Sequence, residues 1–557
     1  MGYTCLARHL HCVCEIVSRC GIVQQVSRTT DPERGVRTQR DIPPESRSVE
    51  TLRGQRPEKG MKVSTFCHRR TKENQGTPDL ASVTISSSAY RFVAKQPARL
   101  AAFVMLTVLA ALPVSRLDAQ RAELEKFLRH KVLTNGLEVI VAENRGVPLA
   151  TIEFNVRNGS FTQRPGTEGL AHMYEHMFFK ANDELPQPDA FVQRAAELGA
   201  SFNGTTREEV VNYYMTLPAD SVAGGLELMA AALRAPRFLR EELERERQVV
   251  LGEYDRNESS PFFELQHRTG MALYPGQWSR KNIIGEREVL QKVTPAQLKE
   301  IQQRYYVPNN TALIVTGYVN ADTIFALAER YLGAWPRGED PFEAEPIPAI
   351  PALTQSSVVY VEKPVGAVTV MLQWQGPSVR QDPDATYAAD VFSDALNQPG
   401  SQLQRRLVDT GLFQSIGVNY YTLNQVGPIS IVGQTTPERL KEAVTALQRE
   451  VARLGDPGYI TPEELAATKA QRAVSTAFGF DTPSAHAHTI GFWWSVSGIE
   501  YYMGYVDNMA TQTLDDVRGY ARKYIVGKPM IVGLLLPPGV RSAIGLRDAD
   551  LLPRVIP

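Results

Sequence analysis

The stretch His172-Met173-Tyr174-Glu175-His176 puts two imidazoles and a carboxylate within five residues. On a helix, residues four apart project about 40° from one another at roughly 100° per residue. Both histidines then lie on one side and can share a zinc ion. Glu175, one residue before the second histidine, reaches the same side and is a candidate general base. The order inverts the commoner His-Glu-x-x-His. The chain has only nine histidines. The rival reading is an apolar core helix that happens to carry two of them.

A tetrahedral zinc with two histidine ligands needs one more protein ligand and a water. In the helix expected near 239–256, Leu239, Leu243, Glu246, Val249, Val250 and Glu253 fall on one stripe at i, i+3, i+4, i+7 spacing. Such a stripe packs inward, and carboxylates on it are costly unless a metal or another partner compensates them. Glu246 and Glu253 are thus both candidates. The alternative is that the helix rolls and both are solvated.

At 557 residues the chain is too long for one core, so two or three domains are expected. A formal net charge of −1 gives no sign of a nucleic-acid partner. All five cysteines (Cys5, Cys12, Cys14, Cys20, Cys67) fall in the first 67 residues, leaving the body without disulfide or thiol nucleophile. Residues 96–120 contain an apolar run, 100–114, preceded by Lys95 and Arg99 and followed by Ala119. Its length suits a secretory signal peptide better than a membrane span. Its distance from the N-terminus points to a true start near Val93 or Met61, with residues 1–95 a disordered or misassigned extension. An uncleaved anchor at 96–120 is the alternative, and would be the sole membrane contact. Export to a bacterial periplasm, with a mature start near Gln120, is expected.

The elements that must position the site form an α+β body. Strands are expected at 137–142, 150–156, 210–217 and 311–319, with helices over 221–256 and 294–306. A proline-rich linker, 336–356, separates a first lobe (121–335) from a second (357–557). The second lobe restarts with strands at 357–361, 368–375 and 429–433. Thr294, Leu298, Tyr305 and Val307, leading to a strand at Leu313, find counterparts 219 residues on: Thr513, Val517, Tyr524 and Val526 lead to a strand at 530–536. This is a duplicated unit of helix and sheet, in which only the first copy has His-x-x-Glu-His.

Asn135-Gly136-Leu137, Gly159-Ser160, the run Gly169 to Lys180, Leu198-Gly199-Ala200, Asn203-Gly204-Thr205, Glu244 to Arg247 with Val249-Val250, Pro308-Asn309-Asn310 and Gly317 resemble the pitrilysin family of inverzincin metallopeptidases. The likeness covers about residues 127–540. It implies two related lobes, each a helix-covered mixed or antiparallel sheet, in a chain the size of the small bacterial members or of one mitochondrial processing peptidase subunit. The family's ligand spacing, counted on from His176, lands on Glu253, and its second active-site glutamate, seven residues earlier, on Glu246. Asn203 and Gly204 match the edge that takes substrate as an added strand. The expected cofactor is one Zn2+ per chain.

One departure matters. The family has an arginine and a tyrosine, seven apart, facing the zinc across the chamber. Aligning on Ser401, Leu407 and Gly411 puts Val408 and Ser415 at those positions. Arg405 and Arg406 are near but have no tyrosine seven later. The expectation is a zinc endopeptidase acting on peptides or unfolded polypeptide, working as a homodimer or as the catalytic half of a heterodimer with a sibling lacking the zinc motif. A non-catalytic assembly or peptide-binding subunit is the alternative. His486 and His488, i and i+2 on a helix, face opposite ways and read as structural. Phe492, Trp493 and Trp494 read as core or interface.

Overall fold

The computed structural model describes residues 119–552. The extension, the cysteines and the apolar run 100–114 lie outside the described residues. None of the described helices is long and apolar enough to cross a membrane.

The first sheet has six strands: β1 (Leu128–Val132), β2 (Glu138–Glu143), β3 (Leu149–Val156), β4 (Ser201–Thr206), β5 (Val211–Pro218) and β6 (Thr311–Gly317). Their order is β1-β2-β6-β3-β5-β4, which leaves β4 at a free edge. The second sheet has five: β7 (Ser357–Glu362), β8 (Val368–Ser378), β9 (Ser415–Tyr420), β10 (Val426–Thr435) and β11 (Ile531–Leu536), in the order β7-β11-β8-β10-β9.

The duplication is visible in the pairing. β6 inserts between β2 and β3, parallel to the first and antiparallel to the second. β11 does the same between β7 and β8. The helices feeding these late strands start alike: Thr294 and Thr513 each make a reciprocal capping box, with Gln297 and Asp516. Each sheet packs one face on its own lobe's helices. The lobes then exchange covers. Helix Pro261–Leu273, from the first half, lies on β7 and β11, while helix Pro483–Val496, from the second, lies on β3 and β6. Trp494 is buried there beside Ile140 and Ile314, so the aromatic group around it is interface, as expected.

Three details differ from the sequence reading. The periodic stretch 221–256 is two helices, Val222–Arg234 and Arg240–Glu258, parted at Pro236, which bridges to Asn182; a proline there cannot extend the first helix. Val249 is 47% exposed, so the inward stripe of the second helix is narrower than supposed. The proline-rich stretch 336–356 also holds a helical turn, Pro341–Ala344, capped by Asp340.

Candidate metal centre

Helix Leu170–Phe178 is nine residues long and buries Leu170, Ala171, Met173, Tyr174, Met177 and Phe178. So much apolar surface on one side fixes its rotation. Tyr174 stacks on Tyr306 and Phe178 on Tyr213, at 3.9 and 3.7 Å between centroids. Gly169 starts the helix at φ 85°, and a Cβ there would lie 2.5 Å from the Ile284 carbonyl oxygen. Only glycine meets both demands. The face left over carries His172, Glu175 and His176. Helix Arg240–Glu258 packs across it and brings Glu246 and Glu253 inward.

His172, His176 and Glu253 converge, with one ligand atom from each within 4.8 Å of the others. Glu253 Oε2 lies 3.7 Å from His172 Nε2 and 3.5 Å from His176 Nε2. Zinc bonds of about 2.0–2.1 Å in a tetrahedron put donors about 3.3–3.4 Å apart. The spacing and the donor set, two imidazoles and a carboxylate, both fit zinc. Glu175 is adjacent, its Oε2 3.9 Å from His172 Nε2 and accepting a 3.2 Å hydrogen bond from Thr206 Oγ1.

The protein groups alone are electrostatically unequal. Burial, then the charge on His176, pushes His172 down to about 3. Burial would lower His176 too, but hydrogen bonds to Glu246 and Glu253 outweigh it and raise that ring to about 10. Burial raises the Glu175 carboxyl. It opposes ionisation of Glu246 and Glu253 as well, yet contacts with His176, and with Lys180 for Glu246, hold both below the usual carboxylate range. Of the two rings, His176 is therefore the one that favours the proton.

Glu246 lies behind His176, outside the three converging donors. Its Oε2 is 3.2 Å from His176 Nδ1, and Lys180 Nζ holds its other oxygen at 2.6 Å. A carboxylate behind a ligating imidazole orients the ring and raises its basicity. His172 lacks such support, its Nδ1 being buried without a partner. Two expectations follow for calorimetry. Zinc binding near neutral pH should displace the proton favoured on His176, so affinity should fall as the solution is acidified. Glu246→Gln should weaken zinc binding or slow turnover by about 10–100-fold. No proton release, or a variant matching wild type in both respects, would contradict these roles.

Sequence reading missed Lys180 and Thr206. Thr206 had a signal, since alternation along β4 puts it on the face of Gly204. Gly204 lies against Glu175: a Cβ there would fall 2.7 Å from Glu175 Oε1. Asn203 points to the other face, where its side chain is hydrogen-bonded to Tyr214. In the second lobe Val408 packs against the core, and Ser415 is the exposed first residue of β9. Arg406 is committed to Glu450 at 3.1 Å. His486 hydrogen-bonds the Tyr502 hydroxyl at 3.1 Å, and His488 meets Glu153 at 2.5 Å, so the two rings do face different partners.

A helix-borne pair of histidines lies beside an edge strand in one of two duplicated lobes, and comparison with known proteins gives the family. Residues 138–280 match the family described as insulinase (peptidase family M16), and residues 292–472 the peptidase M16 inactive domain. The chain belongs to peptidase family M16, the pitrilysin family. An uncharacterized zinc protease of Rickettsia felis is 24% identical over 61% of this chain and 80% of its own length. The crystal structure of a protease from Helicobacter pylori matches with a TM-score of 0.66 at 22% identity, over 74% of this chain and 99% of that one. The first half of the periplasmic protease PqqL from Escherichia coli matches with 0.64 at 17% identity, over 76% and 95%. The two structures show a shared fold of two related lobes.

Proposed function

We propose that this chain is a zinc-dependent endopeptidase that cleaves peptides or unfolded polypeptide segments. The observation that carries the reading is the convergence of His172, His176 and Glu253 within 4.8 Å, with Glu175 beside them against β4. Zinc, when bound, supplies Lewis-acid polarisation of a water and of the scissile carbonyl. Substrate pairs with the free edge of β4 around Asn203 and Gly204, in extended conformation. Glu175, its Oε2 steadied by Thr206, takes the proton of the attacking water and passes it to the leaving amine. Its raised pKa suits a group that must both accept and return a proton.

The assembly-subunit alternative is less economical. It leaves unexplained a buried carboxylate held at the site but outside the three converging donors. The match to the inactive-domain model, residues 292–472, lies wholly outside His172–His176. Export to a periplasm is part of the proposal. It rests on the apolar run 100–114 after Lys95 and Arg99, and on the fold shared with a periplasmic protease. The test of function is hydrolysis of an internally quenched peptide, lost on chelation and restored by zinc. Cleavage that survives full metal removal would refute it.

A further inference from the structure

Behind β4, on the face away from the metal centre, a row of polar side chains crosses three strands. Glu153 on β3 is paired with Tyr214 on β5, and Tyr214 with Asn203 on β4. Directly paired residues share a face. The neighbouring row, Phe154, Tyr213 and Gly204, faces the other way and ends where Gly204 touches Glu175. The two rows are adjacent positions on the same strands, so whatever fixes the back row fixes the strand under the base.

The back row is tied to the other lobe. Glu153 is fully buried. Its Oε1 accepts from Asn212 at 2.8 Å and Asn155 at 3.1 Å. Its Oε2 meets His488 Nδ1 at 2.5 Å. His488 comes from helix Pro483–Val496 of the second lobe, and its other ring nitrogen contacts Ser484 Oγ at 3.0 Å. The same ring lies edge-on to Tyr214, 4.4 Å between centroids. The helix docks closely: a Cβ on Gly491 would fall 2.4 Å from Asn155 Oδ1. A buried carboxylate needs a charge-bearing or multiply donating partner, and the second lobe supplies it.

We infer that His488 is a positioning residue. Through Glu153, Tyr214 and Asn203, the lobe without a zinc motif stiffens the edge strand against which Glu175 rests and on which substrate would pair. The consequence for rate rests on the proposed peptidase function; the stiffening does not. His488→Ala should therefore speed amide hydrogen exchange of residues 201–206 and 211–218 by about tenfold or more, with zinc content unchanged. His488→Asn, which keeps a donor for Glu153, should restore most of the protection.

Arg157→Ala is the control. Arg157 also grips this helix, stacking 3.9 Å from Trp494 and donating to its carbonyl, but it lies off the row. It should leave exchange at 201–206 near wild type. On a cleavable peptide, His488→Ala should raise KM several-fold more than it lowers kcat. Unchanged exchange at 201–206 in His488→Ala would overturn the inference. So would equal loosening by Arg157→Ala, which would reduce His488 to an ordinary interface contact. If wild type cleaves nothing even with a sibling subunit, the peptidase reading fails while the exchange comparison still decides this one.

Discussion

Glu175→Gln is expected to keep its fold and its zinc and to lose peptide hydrolysis by a factor on the order of 10²–10⁴. The amide is the same size as the carboxylate, so it still fits against Gly204, where even a methyl group would collide. It can still meet Thr206 Oγ1. What it cannot do is take a proton. Glu175 is not among the three converging donors, so metal content should hold at one per chain. Steady-state hydrolysis beside metal analysis of the same preparation separates the two properties. Activity within a few-fold of wild type would remove Glu175 from the mechanism.

The second large effect concerns what this chain lacks. Alone it should be weakly active or inactive, and co-expression with a sibling chain should raise the rate on the order of 10²–10³-fold, the usual worth of an oxyanion donor. The developing oxyanion needs donors besides the metal. Within this chain the positions matching the family's arginine and tyrosine are Val408, packed against the core, and Ser415, on the rim of β9. Arg406 is held by Glu450, which also accepts from Tyr459, so swinging it out would break that buried ion pair. A homodimer would close a chamber without furnishing the pair. The partner should be of similar size, lack His-x-x-Glu-His and carry the arginine and tyrosine seven apart. Sizing of the co-expressed complex with a peptide assay tests this. Full activity in a pure homodimer would show that the chain supplies its own donor.

Much of this was legible in the sequence because the constraints are local. Two histidines four apart on a short helix determine their own geometry. The repeat of Thr294 to Leu313 at Thr513 to the strand 530–536 announced the duplication, since each copy must feed a strand into the middle of its sheet. Glu253 was one of two candidates on a helical stripe until the family spacing chose it; the roles of the two glutamates depend on how that helix rolls, which is a tertiary property. Val249 was misplaced for the same reason. Least legible were contacts between distant segments. Lys180 behind Glu246, the exchange of helices 261–273 and 483–496 between lobes, and the Glu153–His488 pair leave no periodic trace. His488 read as a structural histidine, but nothing in the sequence named its partner 335 residues away.

The most direct test of the central claim is the metal content of the purified protein and three single variants, His172→Ala, His176→Ala and Glu253→Ala, measured by elemental analysis after equilibration with limiting zinc. The account predicts about one zinc per chain in wild type, none in either histidine variant, and a large loss in Glu253→Ala, each with an unchanged circular dichroism spectrum. Full zinc retention in Glu253→Ala would contradict the three-residue site, and retention in a histidine variant would contradict the metal centre itself.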